Sequence, residues 1–188
     1  MIFNPIKISG AYRIELDRRS DERGFFARGW CREEFRMHGL PGHIAQMNIS
    51  FNRFKHTLRG FHYQVAPYQE DKLLRCVSGA IYDVVLDLRP ASATYMQHFA
   101  LELSAANYSM ILVPKGCANA FLTLEDNTEV TYLVSEFYTP AAERGVRWND
   151  GAFGIRWPAS PAIISDKDRG WPDFSADRPR VTATADGE

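Results

Sequence analysis

Long apolar runs are absent from the chain: no stretch approaches the roughly 18 residues needed to span a bilayer. The opening MIFNPIKISG also lacks the charged-then-apolar layout of a secretory signal. A cytoplasmic protein that engages no membrane is therefore expected. Neither sign of charge is in excess, with 22 Lys plus Arg against 23 Asp plus Glu and a formal net charge of -1. That balance argues against a nucleic-acid partner, and any anionic ligand must be met by local cations. Cysteine is scarce. Cys31, Cys76 and Cys117 are odd in number and without CxxC spacing, which disfavours both a disulfide framework and a zinc cluster. His38, His43, His56, His62 and His98 never form a close HxH or HxxxH pair, so no metal is expected. A glycine-rich phosphate loop, a GxSxG elbow and an internal repeat are missing too.

What remains is a chain of 188 residues, 45% hydrophobic, long enough for one well-buried domain. Aromatics at 13%, with 13 Gly and 10 Pro spread along the length, suit a β-rich domain cut by frequent turns. Residues 81–88 (IYDVVLDL) alternate, with Tyr82, Val84, Leu86 and Leu88 on one face and Ile81, Asp83, Val85 and Asp87 on the other. Further strands are predicted at 58–65, 73–77, 98–103, 110–113, 121–124 and 128–135, parted by turn residues such as Ser78-Gly79. Many short strands at close spacing mean an all-β sandwich or barrel. One short peripheral helix is predicted at 32–38, with Glu33 and Glu34 in its first turn and Gly39 as its stop. Residues 1–174 are expected to form a single domain, and the polar stretch 175–188 to fray.

Several residues invite a chemical reading. Leu58-Arg59-Gly60-Phe61-His62-Tyr63-Gln64 sets a cation, a glycine and an imidazole close together on one predicted strand. Strict alternation separates Arg59 from His62, whereas a bulge at Gly60 brings both to one cleft. Lys72, Tyr132 and Asp168 each have an ordinary explanation when read alone: a snorkelling lysine, a core tyrosine and a charged loop. Asp21-Glu22-Arg23-Gly24-Phe25-Phe26-Ala27-Arg28 reads as a turn entering a strand, its arginines suited to forked hydrogen bonds with a diphosphate or simply solvated.

Taken together, these segments resemble the dTDP-4-dehydrorhamnose 3,5-epimerase family along nearly the whole chain. The likeness also runs through Gln46-Met47-Asn48, Lys72-Leu73-Leu74-Arg75, Val113-Pro114-Lys115-Gly116, Tyr138, Arg147-Trp148-Asn149-Asp150 and Ser165-Asp166-Lys167-Asp168. The resemblance implies a cupin-type double-stranded β-helix, or jelly roll, working as a homodimer with an exchanged N-terminal arm. It implies no metal or other cofactor and a nucleoside-diphosphate 4-keto-6-deoxyhexose as substrate, inverted at C5, C3 or both. By position, His62 is similar to the family's base, Asp168 to the carboxylate that orients it, Tyr132 to the acid on the opposite face, and Lys72 to the cation beside the ketone oxygen. Arg23 and Arg59 resemble the diphosphate contacts, Gln46 and Asn48 resemble residues that line the site, Tyr138 is similar to the ring that stacks on the base, and the resemblance places Phe26 in the substrate-binding set.

Two departures stand out. Arg28 occupies a place where the family commonly has a glutamate near the nucleobase, so weaker preference for a thymidine nucleotide is expected, or simple drift at a rim. Asn119, in Pro114-Lys115-Gly116-Cys117-Ala118-Asn119-Ala120-Phe121, stands where the family has a histidine. Asparagine keeps hydrogen-bonding capacity without a titratable proton, which leaves open altered substrate preference or inversion of a single carbon. A jelly roll that binds a nucleotide sugar without turning it over, and a ketoisomerase on the same scaffold, are the alternative readings.

Overall fold

The structure, a computed structural model, describes residues 1–40 and 42–175. Of the stretch 175–188 expected to fray, all but Ser175 lies outside them. Two antiparallel sheets face each other. The first carries, in order across the sheet, β1 (Ile2–Pro5), β2 (Tyr12–Glu15), β10 (Met110–Val113), β7 (Lys72–Ser78), β12 (Thr128–Val134) and β5 (Gln46–Asn52). The second carries β13 (Glu143–Gly145), β6 (Thr57–Gln64), β11 (Cys117–Thr123), β8 (Ala80–Asp87) and β9 (His98–Ser104), with the short β14 (Ile163–Ile164) parallel to β6. A separate hairpin joins β3 (Arg19–Asp21) to β4 (Gly24–Phe26), and two short helices, α1 (Arg32–Met37) and α2 (Asp166–Arg169), lie at the periphery. This is the expected jelly-roll architecture. No helix among the described residues is long and apolar enough to cross a membrane.

Three apolar layers hold the sheets. Between them, Leu74, Cys76, Ile111, Val113 and Val130 of the first sheet meet Ile81, Val85, Leu103, Cys117 and Phe121 of the second. The strand over residues 81–88 splits as its alternation predicts: Ile81 and Val85 face this layer, whereas Val84 and Leu86 turn outward. There they meet Phe61, Ala118 and Ala120 and are covered by Val146, Phe153, Ile155 and Trp157 from the chain after β13. On the far side of the first sheet, Phe35 of α1 packs over Ile14, Leu73, Met110 and Leu112. With both faces covered, β11 is buried at every position, which is why Cys117-Ala118-Asn119-Ala120 shows no alternation. Burying each large apolar side chain contributes about 1.5–3 kcal/mol.

One irregularity positions the site. Asn119 pairs with His62 but Phe121 pairs with Arg59, so three steps along β6 oppose two along β11. The extra residue is a bulge at Gly60, where φ is +110. A Cβ there would stand 2.5 Å from the Asn119 carbonyl oxygen and 2.7 Å from the Ala120 Cβ. Glycine is the residue that tolerates both the backbone conformation and the crowding. Gly60→Ala is expected to destabilise the fold by about 2 kcal/mol or more, the combined scale of a forced positive φ and an overpacked contact. A denaturant midpoint equal to the parent's is the result that contradicts this.

Candidate active site

The bulge turns Arg59 and His62 to the same side of the second sheet, and both line a cavity between the sheets. Its two lobes, about 410 and 390 Å³, share His62, Lys72 and Tyr132. Arg59, Asn119, Ser50 and Phe121 belong to the first lobe; Gln46, Asn48, Glu70, Tyr138 and Glu143 belong to the second. Volumes of this size suit a small-molecule ligand.

His62 is oriented from a distant part of the chain. β14 aligns beside Thr57 and Leu58, and the chain then turns into α2, where the Ser165 side chain caps the backbone N–H of Asp168 at 3.1 Å. This sets the Asp168 carboxylate against the bulge. Its Oδ1 is 2.6 Å from His62 Nε2, and its Oδ2 accepts the Gly60 N–H at 3.2 Å. Burial pushes this carboxyl up, yet the His62 hydrogen bond and charge, the Gly60 N–H and the Ser165 contact outweigh it and hold its pKa below the ordinary value. With Nε2 committed to Asp168, Nδ1 is the nitrogen left for a ligand. Trp171, seated over Gly145, stands edge-on to the imidazole with ring centroids 6.5 Å apart.

On the opposing sheet, Tyr132 projects from β12, flanked by Asn48 of β5 and Leu74 of β7. Burial raises its hydroxyl above the ordinary phenol value, against the Arg59 charge and with that of Glu70. A phenol so placed keeps its proton near neutrality. Lys72 opens β7, and its ammonium spans the gap between sheets, 3.2 Å from the His62 carbonyl oxygen and 2.9 Å from Glu70 Oε1. Glu70 was not among the residues picked out from the sequence. Its side chain is 7% exposed, and among the described residues Oε2 has no hydrogen-bond partner. The available signal was its spacing: two residues before Lys72 in extended chain, it shares that lysine's face. Arg59 is held by its Nε donating to Asn52 Oδ1 at 2.7 Å.

Asp83 lies beneath this wall, fully buried, its carboxyl pushed up to about 7 from 3.8 by burial, against the Asn119 hydrogen bonds and the Lys72 charge. A carboxyl raised in the folded state costs stability once ionised. Its contribution is fully present below about pH 4 and falls away as pH rises through about 7, by a few kcal/mol. Asp168, with its lowered value, has the opposite sign and loses its contribution in acid. Asp83→Asn is therefore expected to flatten the decline in unfolding free energy between pH 4 and pH 7.5. An unchanged slope in denaturant titrations across that range would contradict it.

Three expected site residues stay away from the cavity. Arg23 is ion-paired with Asp21 at 2.6 Å on the β3–β4 hairpin, its side chain 85% exposed. Phe26 at the end of that hairpin is 72% exposed. Arg28 lies 3.5 Å from Glu34 of α1, so the reversed charge at this position is met within the chain. Tyr138 does reach the rim, its hydroxyl donating to Glu143 Oε2 at 2.7 Å and its backbone N–H to Gln46 Oε1 at 2.7 Å. Among the described residues, no three His, Cys, Asp or Glu side chains are grouped to hold a metal ion.

Known proteins are similar to this chain in sequence and in fold. The dTDP-4-dehydrorhamnose 3,5-epimerase of Sinorhizobium fredii is 35% identical over 93% of this chain and 90% of its own. The crystal structure of dTDP-4-dehydrorhamnose 3,5-epimerase from Bacillus anthracis, with TDP and PPi bound, superposes with a TM-score of 0.88 at 38% identity, covering 92% of this chain and 99% of that one. ChmJ, a 3'-monoepimerase from Streptomyces bikiniensis in complex with dTDP-quinovose, gives 0.83 at 34% identity, covering 90% and 86%. With the family pattern of dTDP-4-dehydrorhamnose 3,5-epimerase matching residues 5–176 as well, the chain belongs to that epimerase family.

Proposed function

We propose that the protein inverts C5, C3 or both in a nucleoside-diphosphate 4-keto-6-deoxyhexose, using His62 as base, Tyr132 as acid and Lys72 as the cation at the ketone oxygen. One observation carries this reading: the Asp168-bound imidazole and the Tyr132 phenol enter one cavity from opposing sheets. Inversion requires a proton to leave one face of a carbon and another to arrive on the opposite face. Taking the C–H proton onto His62 Nδ1 leaves the electron pair delocalised onto the C4 oxygen as an enolate. A fixed ammonium beside that oxygen stabilises the charge as it forms. Tyr132 then delivers its proton to carbon, the C4 carbonyl reforms, and solvent exchange restores the phenol and the neutral imidazole. Each proton-transfer group contributes about 10² to 10⁴-fold.

Incubated in deuterium oxide with the keto-sugar nucleotide, the protein is expected to incorporate label at C5 or C3. Absence of label above an enzyme-free control overturns the reading. Tyr132→Phe should reduce inverted product by about 10²-fold or more while label still enters with retention. Equal loss of both would remove Tyr132 from its role.

The active form is a homodimer in this reading, each site completed by the hairpin of the other subunit. The β3–β4 hairpin joins neither sheet and holds Arg23 and Phe26 out to solvent. The first sheet's edge strand β5 likewise shows Met47, Ile49 and Phe51 at 61, 66 and 52% exposure, an apolar stripe of the kind that marks an interface. Arg23 would then join Arg59 on the diphosphate, while Gln46, Asn48 and Tyr138 receive the nucleoside. Mixing inactive His62→Ala and Arg23→Ala proteins should regain activity through hybrid dimers. A light-scattering mass of one chain, or no regain, refutes the shared site.

A further inference from the structure

Asn119 is 7% exposed and sits across the ladder from His62, on the wall of the Arg59 lobe. Its Nδ2 lies 2.9 and 3.1 Å from the two oxygens of Asp83 and 3.2 Å from the Val84 carbonyl oxygen. Every one of these partners is an acceptor, so the chemistry fixes which end of the amide points inward. Protonation of Asp83 does not undo this, because one carboxyl oxygen and the Val84 carbonyl remain acceptors. Asn119 Oδ1 is thus turned away from the wall. Among the described residues it accepts no hydrogen bond and it is not one of the atoms sealed from solvent, which leaves the cavity that Asn119 lines as its outlet.

We propose that Asn119 determines sugar specificity by presenting the cavity with a rigid, uncharged acceptor that requires a hydroxyl donor close to the carbon losing its proton. This deepens the epimerase reading and rests on it for the substrate class. A 4-keto-6-deoxyhexose in nucleotide linkage has free hydroxyls at C2 and C3 only, so the donor is one of these two. The acceptor cannot gain a proton near neutrality, so it cannot switch to a donor and welcome an oxyanion or ketone instead.

The test compares three nucleotide sugars, the 4-keto-6-deoxyglucose parent and its 2-deoxy and 3-deoxy analogues, by equilibrium Kd and by kcat/KM for deuterium incorporation. Wild type is expected to bind one analogue about 10- to 100-fold less tightly than the parent, because the loss leaves Oδ1 without its partner. In Asn119→Ala that ratio should fall to near one, mainly through KM. Asn119→His should keep it, since the imidazole gives one N–H to Asp83 and retains an acceptor nitrogen. Equal affinity of wild type for all three sugars overturns the proposal without any variant, and so does an unchanged ratio in Asn119→Ala. The Kd comparison decides even without turnover, so failure of the epimerase reading shows separately, as absent label with the parent sugar.

Discussion

Removing the imidazole, in His62→Ala, is expected to slow deuterium incorporation by about 10³-fold or more while leaving the protein folded. Base catalysis alone accounts for about 10² to 10⁴-fold, and the substitution also removes the group that Asp168 orients. The loss of stability should stay near about 1–2 kcal/mol, because the His62 side chain is 31% exposed and is not part of the apolar layers, while the buried Asp168 gives up one of its hydrogen-bond partners. Asp168 retains the Gly60 N–H when its partner is gone. Its pKa should rise toward the ordinary carboxylate value, since His62 supplied two of the influences that lowered it. The measurement is label incorporation under saturating substrate, beside a denaturant midpoint. A rate within tenfold of wild type would show that another group takes the proton.

Lys72→Met should affect both activity and stability. Loss of the ammonium at the enolate oxygen is worth about 10² to 10³-fold. It also strands Glu70, whose carboxylate would then be buried with neither oxygen paired. Removing one partner of a buried ion pair costs about 3–5 kcal/mol. The double variant Lys72→Met, Glu70→Gln should recover most of that stability and none of the rate. This separation matters because a general unfolding defect would move both together. Recovery of turnover in the double variant would mean that the ammonium acts only by neutralising Glu70.

The sequence was most readable where burial is one-sided. β8 keeps its alternation because its two faces serve two different apolar layers, and the bulge at Gly60 was visible in a glycine between a cation and an imidazole. β5 was the opposite case. Its half-buried residues Gln46, Asn48 and Ser50 are polar because they line a cavity, and its apolar Met47, Ile49 and Phe51 are the exposed ones, Ile49 and Phe51 at the cavity's edge, so a search for apolar positions facing a core finds the wrong set. Half of β11 was missed for lack of any polar face. The short strands β1 to β4 offered too few residues for a period to show. For Asp168, the local signal was a charged stretch behind a capping serine. Its approach to His62 depends on β14 lying beside Thr57 and Leu58, a pairing across more than a hundred positions that only the family likeness suggested.

That long reach has a consequence for how the molecule matures during synthesis. All strands of the two facing sheets except β14 are complete by Gly145, while the carboxylate for His62 arrives 106 residues after it. A growing chain can close its sandwich well before Asp168 has left the ribosome. In the proposed mechanism such a chain holds an unaligned base, so it has its shape before it has its chemistry.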